Sequence, residues 1–496
     1  MKRRLLQEFY CPICRASFQN FHDHITNYHS DEEIELAIIK DKEQGLTDKD
    51  VGKKYRINLK RLEQIIRKHM GVNISVGATQ KVIKTFEPAN FQLQKTTIWS
   101  FKSRGNWATH SGAYRGNWSP FIPRNVILMF SREGDLVLDQ FCGGGTTAVE
   151  AKLLGRRCIA VDINEKAIEL AKQNVNFNLP LSLYGSKIYE PELIVGDARN
   201  LYFIPDNSVD LICAHPPYSD AIKYTENTMG DLSHLKVDDF LAEMRAVASE
   251  SFRVLKPGKF CAILIGDLRR GGHIVPLGFK LMNVFMEAGF LLKYLVIKLQ
   301  HNCKATGFWL EKSRTYNFLL LAHEYLPIFY KPQSKSTFVS EQRVANFQIK
   351  FAIPALSSEN IEGTTVWFYD PSNFEEFIET NVAFRYGNGT PIIRVFSPYT
   401  SGNLNERNFE HELNTYIANN ERFFESRDYV TFHAYDFEFS GYIFPTAKYI
   451  VDFLNLPGFA LKEIIILIPK NYTDIPHLPD NELLRVHSYL LVYRRT

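Results

Sequence analysis

The chain has 496 residues, 45% of them hydrophobic, and a formal net charge of +3. That is enough material for two or three domains, and too even a balance for nucleic-acid affinity to arise anywhere but in local patches. Seven cysteines fit a reducing compartment, and the lack of a signal pattern or a long apolar run excludes a membrane-spanning segment, so a cytoplasmic protein that contacts no membrane is expected.

In residues 1–30, Cys11-Pro12-Ile13-Cys14 is followed after nine residues by His24-Ile25-Thr26-Asn27-Tyr28-His29. The Cys-x2-Cys and His-x4-His spacing predicts a tetrahedral, structural zinc site with Cys11, Cys14, His24 and His29 as ligands. His22 is a spare that could replace His24, and Phe18, Phe21 and Ile25 would form the small core. The short central spacing looks like the compact zinc fingers of some prokaryotic regulators; the alternative is two reduced cysteines beside surface histidines.

Residues 31–75 read as a helix-turn-helix. An amphipathic helix over Glu33 to Glu43 precedes a short helix N-capped by Thr47, a turn at Arg56-Ile57, and a second short helix, Leu59 to Lys68, N-capped by Asn58. Gly52 stands where close helix contact needs a small residue. Lys49, Lys53, Lys54, Arg56, Lys60, Arg61, Arg67 and Lys68 outnumber Asp48, Asp50 and Glu63, which makes Leu59 to Lys68 the candidate for a major groove, against the alternative of a solvated helical hairpin. Residues 76–95 form a linker.

Residues 96–335 carry the chemistry. The apolar strand Leu136-Val137-Leu138 runs into Asp139-Gln140-Phe141-Cys142-Gly143-Gly144-Gly145-Thr146-Thr147 and then a helical pattern from Ala148, a strand, glycine turn and helix that lets backbone approach a ligand closely. A second strand, Arg157 to Val161, ends in Asp162, and a third, Leu193 to Val195, ends in Gly196-Asp197-Ala198. A fourth, Val209 to Ala214, delivers His215-Pro216-Pro217-Tyr218 to the sheet edge where open parallel sheets bind ligands. An α/β, doubly wound Rossmann-like sheet is expected.

Over residues 96–335 the chain resembles the S-adenosylmethionine-dependent DNA amino-methyltransferases, which act on adenine N6 or cytosine N4. Their D-P-F-x-G-x-G-T-T motif is matched by Asp139 to Thr147 with Gln140 in place of proline, and their (D/N/S)-P-P-(Y/W) tetrapeptide by His215 to Tyr218. Tyr114 to Arg124 is similar to the segment preceding the donor loop; Arg253 to Lys259, Gly266-Asp267 and His323 to Leu326 are similar to later landmarks. The resemblance implies that Asp139, Phe141, Gly143, Gly145 and Thr146 form the donor loop and methionine side, that Asp162 binds the cofactor ribose, and that Asp197 binds the adenine edge. It also implies that His215, Pro216, Pro217 and Tyr218 grip a base flipped out of double-stranded DNA, and that a partner nuclease is possible.

An exocyclic amine conjugated to a ring is a poor nucleophile, so hydrogen-bond acceptors must pull its nitrogen toward sp³ geometry and aim the lone pair at the methyl. Two prolines make a rigid turn whose carbonyls serve this, and Tyr218 would stack on the flipped base. His215 departs from the family: only a neutral imidazole offers an acceptor. Either His215 contacts the amine directly, or it shapes the turn while the Pro216 carbonyl accepts. Two rival readings stand: an RNA (tRNA) base amino-methyltransferase, and a non-catalytic DNA-binding protein with a vestigial domain.

Residues 336–496 lack the donor-loop glycines yet repeat the later half of the preceding domain. Asp267 to Leu299 aligns without a gap on Asp436 to Ile468, and His323-Glu324-Tyr325-Leu326 recurs as His487-Ser488-Tyr489-Leu490, with Phe396-Ser397-Pro398-Tyr399 in the place of the target loop. This predicts a C-terminal α/β domain that is a degenerate methyltransferase-like repeat, the alternative being an unrelated target-recognition domain.

Overall fold

The computed structural model describes residues 9–18, 27–44, 46–57, 85–111, 116–179, 188–222, 230–301, 315–333, 346–353, 362–396, 406–439, 441–474 and 476–496, with isolated positions between them. The chain forms two compact units, residues 1–82 with 176–178, and residues 83–175 with 179–496.

In the first unit, strands β1 (Phe9–Tyr10) and β2 (Ser17–Phe18) pair antiparallel around the Cys11 to Cys14 turn. The helix Asp31–Glu43 starts at a full capping box: Ser30 Oγ accepts from Glu33 N at 3.2 Å, and the Glu33 carboxylate accepts from Ser30 N at 3.0 Å. The next helix, Asp48–Tyr55, is N-capped by Thr47 and stops at Arg56 in the left-handed region. Ile38, Ile39, Val51, Tyr55, Leu62 and Ile65 form the core. Tyr55 donates to Asp41 at 2.7 Å inside it. A Cβ on Gly52 would lie 3.2 Å from the Ile57 carbonyl oxygen, so the glycine serves the turn after its own helix. Of the expected helix Leu59 to Lys68, Arg61, Leu62 and Ile65 are described and helical; the remainder, with His22, Phe21, Ile25, residues 71–75 and residues 76–82 of the linker, lies outside the described residues.

The second unit holds two sheets. The first takes β3 (Ile98–Ser100), β4 (Leu136–Asp139), β5 (Arg157–Asp162), β6 (Glu192–Val195), β7 (Val209–Ala214), β8 (Leu255–Ile263), β11 (Leu291–Leu299) and β12 (His323–Tyr330), after a hairpin of β9 (Leu268–Arg270) and β10 (His273–Val275). The order is β3-β11-β12-β8-β7-β4-β5-β6, with β12 antiparallel to both neighbours and the other pairs parallel. The central strand β7 is buried along its whole length, as expected of a parallel strand covered on both faces. This is the doubly wound Rossmann-like sheet, and β4, β5, β6 and β7 all end on the same edge.

The second sheet contains β13 (Asn346–Phe351), β14 (Val366–Tyr369), β15 (Pro391–Phe396), β16 (Tyr429–Ala434), β19 (Phe459–Pro469) and β20 (Ser488–Arg495), with a hairpin of β17 (Phe437–Phe439) and β18 (Tyr442–Phe444). Its order, β14-β19-β20-β16-β15-β13, runs parallel to β3-β11-β12-β8-β7-β4 of the first, strand for strand. Orientations agree except for β13, which is antiparallel to β15. Even the irregularities coincide: β11 skips a residue between Leu292 and Tyr294, and β19 between Leu461 and Glu463. Ile328 opposite Ala262 in one sheet answers to Val492 opposite Thr431 in the other. By that register Cys213 opposite Ala262 answers to Ile392 opposite Thr431, so Arg394 rather than Phe396 occupies the place of His215. Arg394 is engaged there by Glu375. Residues 397–399 lie outside the described residues.

The two halves interlock by exchange. Thr96 bridges to Leu484, and Thr364 to Leu320. Trp99 Nε1 donates to the Thr96 carbonyl at 3.1 Å, and Trp367 Nε1 to the Thr364 carbonyl at 2.9 Å. His273 of one hairpin reaches the Leu461 carbonyl, and Lys293 reaches the Gly441 carbonyl beside the other. Such reciprocity is the mark of a pseudo-twofold axis.

Candidate functional site

Sequence punctuation builds the donor loop. Gly145 ends the turn at φ 79° and starts the helix Thr146–Leu153, and a Cβ there would fall 2.9 Å from the Ala171 side chain. Glycine is required at this point for both conformation and space. Gly143, at φ 49°, donates its N–H to Asp162 Oδ2 at 2.8 Å, while Asp162 Oδ1 accepts from Asn164 N at 2.9 Å. Burial raises the Asp162 carboxyl, partly countered by these two amides.

The loop closes one side of an open cavity lined by Phe141, Gly143, Asp162, Asp197, His215 and Pro217, and on the other side by Tyr114, Asn117, Trp118 and Tyr224. Burial would raise Asp197, but the Arg199 fork on both its oxygens, at 2.6 to 3.1 Å, holds it below the ordinary value. Asp139, Gly145 and Thr146 are absent from the lining: Asp139 is buried behind the loop, accepting from Phe141 N at 3.0 Å, and burial pushes its carboxyl up to about 7. Those three brace the loop. Gln140, standing where the family has proline, donates from its amide to Ser251 at 2.8 Å on the helix Val237–Val254.

The wall opposite is held by a buried carboxylate. Glu150 accepts from Trp107 Nε1 at 2.7 Å, lies 2.7 Å from His110 Nε2, and accepts from Arg124 at 3.0 Å. Arg104 then donates to the carbonyls of Asn117 and Trp118 at 2.7 and 2.8 Å, which fixes the Trp118 ring over His215 with centroids 5.5 Å apart. Sequence patterns alone do not show this brace, because its five members are scattered from Arg104 to Glu150.

A second open cavity is lined by Phe101, Arg104, Tyr218, Ile222, Lys298 and Glu324 among others, and shares Gly116, Asn117, Trp118, His215 and Tyr224 with the first. The target loop therefore stands at the junction: His215 faces both cavities, Pro217 the first and Tyr218 the second, while Pro216 is buried and lines neither. His215 Nε2 is 2.9 Å from the Tyr218 hydroxyl, which donates to Glu324 at 2.8 Å; Lys298 donates to the other oxygen of Glu324 at 2.7 Å. Burial, with Lys298 and Arg104 adding to it against the pull of Glu324, brings the imidazole down to about 4. It is neutral at pH 7, so a lone pair is available. Tyr218 packs against Gly266, where a Cβ would meet its ring at 2.8 Å.

In the first unit, the ligand atoms of Cys11, Cys14, His24 and His29 all lie within 4.8 Å of one another, with Cys11 Sγ 3.4 Å from His29 Nε2 and Cys14 Sγ 3.3 Å from His24 Nε2. Separations of this size fit neighbouring ligands of one tetrahedral zinc ion.

Residues 13–173 match the family model described as DNA methylase, and residues 138–263 match that described as methyltransferase domain. A tRNA (guanine(10)-N2)-dimethyltransferase of Methanothermobacter thermautotrophicus is 35% identical over 129 residues, 26% of this chain and 34% of that protein. A type II methyltransferase of Lactococcus lactis subsp. cremoris is 34% identical over 86 residues, 17% of this chain and 31% of that protein. Another, of Bacillus subtilis, is 33% identical over 113 residues, 22% and 32% respectively. The chain thus spans about a third of the length of these curated relatives. With the sheet, the glycine loop and the carboxylate at the end of β5, these matches define an S-adenosylmethionine-dependent methyltransferase domain. Its sequence relatives include a tRNA (guanine(10)-N2)-dimethyltransferase and type II methyltransferases. Among the described residues no helix is long and apolar enough to cross a membrane.

Proposed function

We propose that the protein transfers a methyl group from S-adenosylmethionine to the exocyclic amine of adenine (N6) or cytosine (N4) in DNA. The observation that carries this reading is the junction of two cavities at His215, Trp118 and Tyr224, one beside the glycine loop and the other open for a planar ring. Bound in the first cavity, with Asp162 on the ribose, Asp197 on the adenine edge and Phe141 and Gly143 on the methionine side, S-adenosylmethionine supplies a methyl made electrophilic by its sulfonium. His215, Pro216 and Pro217 hold the amine's hydrogens, and Tyr218 and Trp118 flank the base in a site that a duplex can enter only by flipping a nucleotide out. The nitrogen lone pair forms the N–C bond as the C–S bond breaks with its electron pair left on sulfur, and the nitrogen sheds one proton to water past the acceptors that face it.

The first unit supports duplex DNA as the partner: Cys11, Cys14, His24 and His29 would hold a structural zinc ion beside the helix-turn-helix over residues 31–75. A second reading, methylation of guanine N2 in tRNA, is favoured by the archaeal tRNA enzyme among the relatives. Incubation with labelled S-adenosylmethionine and either duplex DNA or total tRNA, followed by mass spectrometry of the nucleosides, tests both. N6-methyladenine or N4-methylcytosine is expected; label confined to tRNA would replace this reading with the second, and none in either would retire both.

A further inference from the structure

His215 stands where the family places an oxygen acceptor, and its ring has two nitrogens of which one must be bare to do the same work. The surrounding hydrogen bonds decide which. Lys298 is bonded to Glu324, and although burial would raise this carboxyl, the lysine beside it holds it below the ordinary value. An ionised carboxylate only accepts, so the single proton of the Tyr218 hydroxyl goes to Glu324. The phenolic oxygen is then left to accept, and the group facing it at 2.9 Å is Nε2 of His215. Nε2 must carry the imidazole proton, and Nδ1 must be bare.

Nδ1 is bonded directly to Cγ, as the side-chain oxygen of Asp or Asn is, and it makes no hydrogen bond among the described residues. We propose that Glu324, anchored by Lys298, locks His215 through the Tyr218 hydroxyl in the Nε2–H form, so that Nδ1 replaces the family's oxygen as acceptor for the amino hydrogen of the target base. Glu324 and Lys298 are positioning residues, and Tyr218 has a second task besides flanking the base. The groups facing the imidazole, Tyr218 on its own loop, Glu324 on β12, Lys298 on β11, and Arg104 and Trp118 on the preceding segment, supply no other acceptor for Nε2–H. The inference rests on the amino-methylation reading for the role of Nδ1, though the lock does not.

Long-range ¹⁵N–¹H correlation spectra of the full chain labelled in histidine distinguish the tautomers, with His215 assigned by its loss in His215→Asn. The Nε2–H pattern is expected in the intact protein and a mixture in Glu324→Gln and in Tyr218→Phe. Glu324→Gln should also lower kcat on the order of 10-fold to 100-fold through misalignment, with the Kd for S-adenosylmethionine unchanged. An Nδ1–H pattern in the intact protein, or an unaltered one in both variants, overturns the proposal. Should Glu324→Gln not fold, Tyr218→Phe gives the same reading, since it removes the bridge and keeps the ring. The expected tautomer in a protein that methylates neither DNA nor tRNA would defeat the functional reading and the acceptor role of Nδ1, and leave only the lock.

Discussion

The Thr97 hydroxyl lies 2.9 Å from Nδ1 of His487, a residue of the other half of the chain. Its counterpart is the Thr365 hydroxyl, 2.9 Å from Nδ1 of His323. Each histidine passes on to a tyrosine, His323 to Tyr325 at 3.0 Å and His487 to Tyr489 at 2.9 Å. Every one of these side chains is buried. Valine at position 97 or 365 would leave a buried imidazole nitrogen unmatched, at a cost of about 1 to 3 kcal/mol. Urea midpoints should fall by similar amounts in Thr97→Val and Thr365→Val; a shift in only one of them would contradict the symmetry of the exchange.

The His215 imidazole should put no acid limb into the activity profile above about 5, because burial brings it down to about 4. The shift is downward, so the native state binds this proton less tightly than the unfolded chain. The stability it contributes is fully present above the free-histidine value of 6.5 and is lost as pH falls toward 4. An acid limb of kcat between 6 and 7 would show a solvated imidazole instead.

Removing the Asp162 carboxylate leaves the Gly143 and Asn164 amides without their acceptor and removes the group assigned to the ribose. Asp162→Ala is expected to weaken binding of S-adenosylmethionine by roughly 10-fold to 100-fold, equivalent to about 1.4 to 2.7 kcal/mol, in isothermal titration. Gln140→Ala should lower stability through the loss of its side-chain bond to Ser251, a net of about 1 kcal/mol, and, because Gln140 borders the first cavity yet spends its amide on Ser251, it should weaken that affinity less than Asp162→Ala does.

Zinc bound by two cysteines and two histidines should appear as about one ion per chain in elemental analysis. It should disappear in Cys14→Ser and after treatment with a strong chelator. Because so small a hairpin has little core of its own, duplex binding should weaken in the same samples while methyl transfer to a short oligonucleotide at saturating concentration persists. Full metal content in Cys14→Ser would place the ion elsewhere.

The strand ends were legible because parallel strands covered on both faces read as apolar runs, and Val209 to Ala214 is observed with those same bounds. The glycines of the donor loop were legible because their backbone geometry admits little else. The brace formed by Arg104, Trp107, His110, Arg124 and Glu150 was hidden, since buried polar pairing leaves no periodic trace. The division of labour within the motif was hidden too: Asp139, Gly145 and Thr146 share a motif with Phe141 and Gly143, yet Asp139 and Thr146 are buried and none of the three lines the cavity. The acceptor form of His215 depends on Glu324 and Lys298, far along the chain, and only three-dimensional proximity links them.

Among the described residues none of the second half lines either cavity, yet Thr96, just before β3, bridges to Leu484, and the segment that follows β3 supplies Phe101, Lys102 and Arg104 to the second cavity. A chain cut after the first sheet would retain every group named in the chemistry and lose the selvedge that keeps its fabric from fraying. The second sheet is thus not cargo carried beside the first: the two are woven together at Thr96 with Leu484 and at Thr364 with Leu320, and neither can be discarded alone.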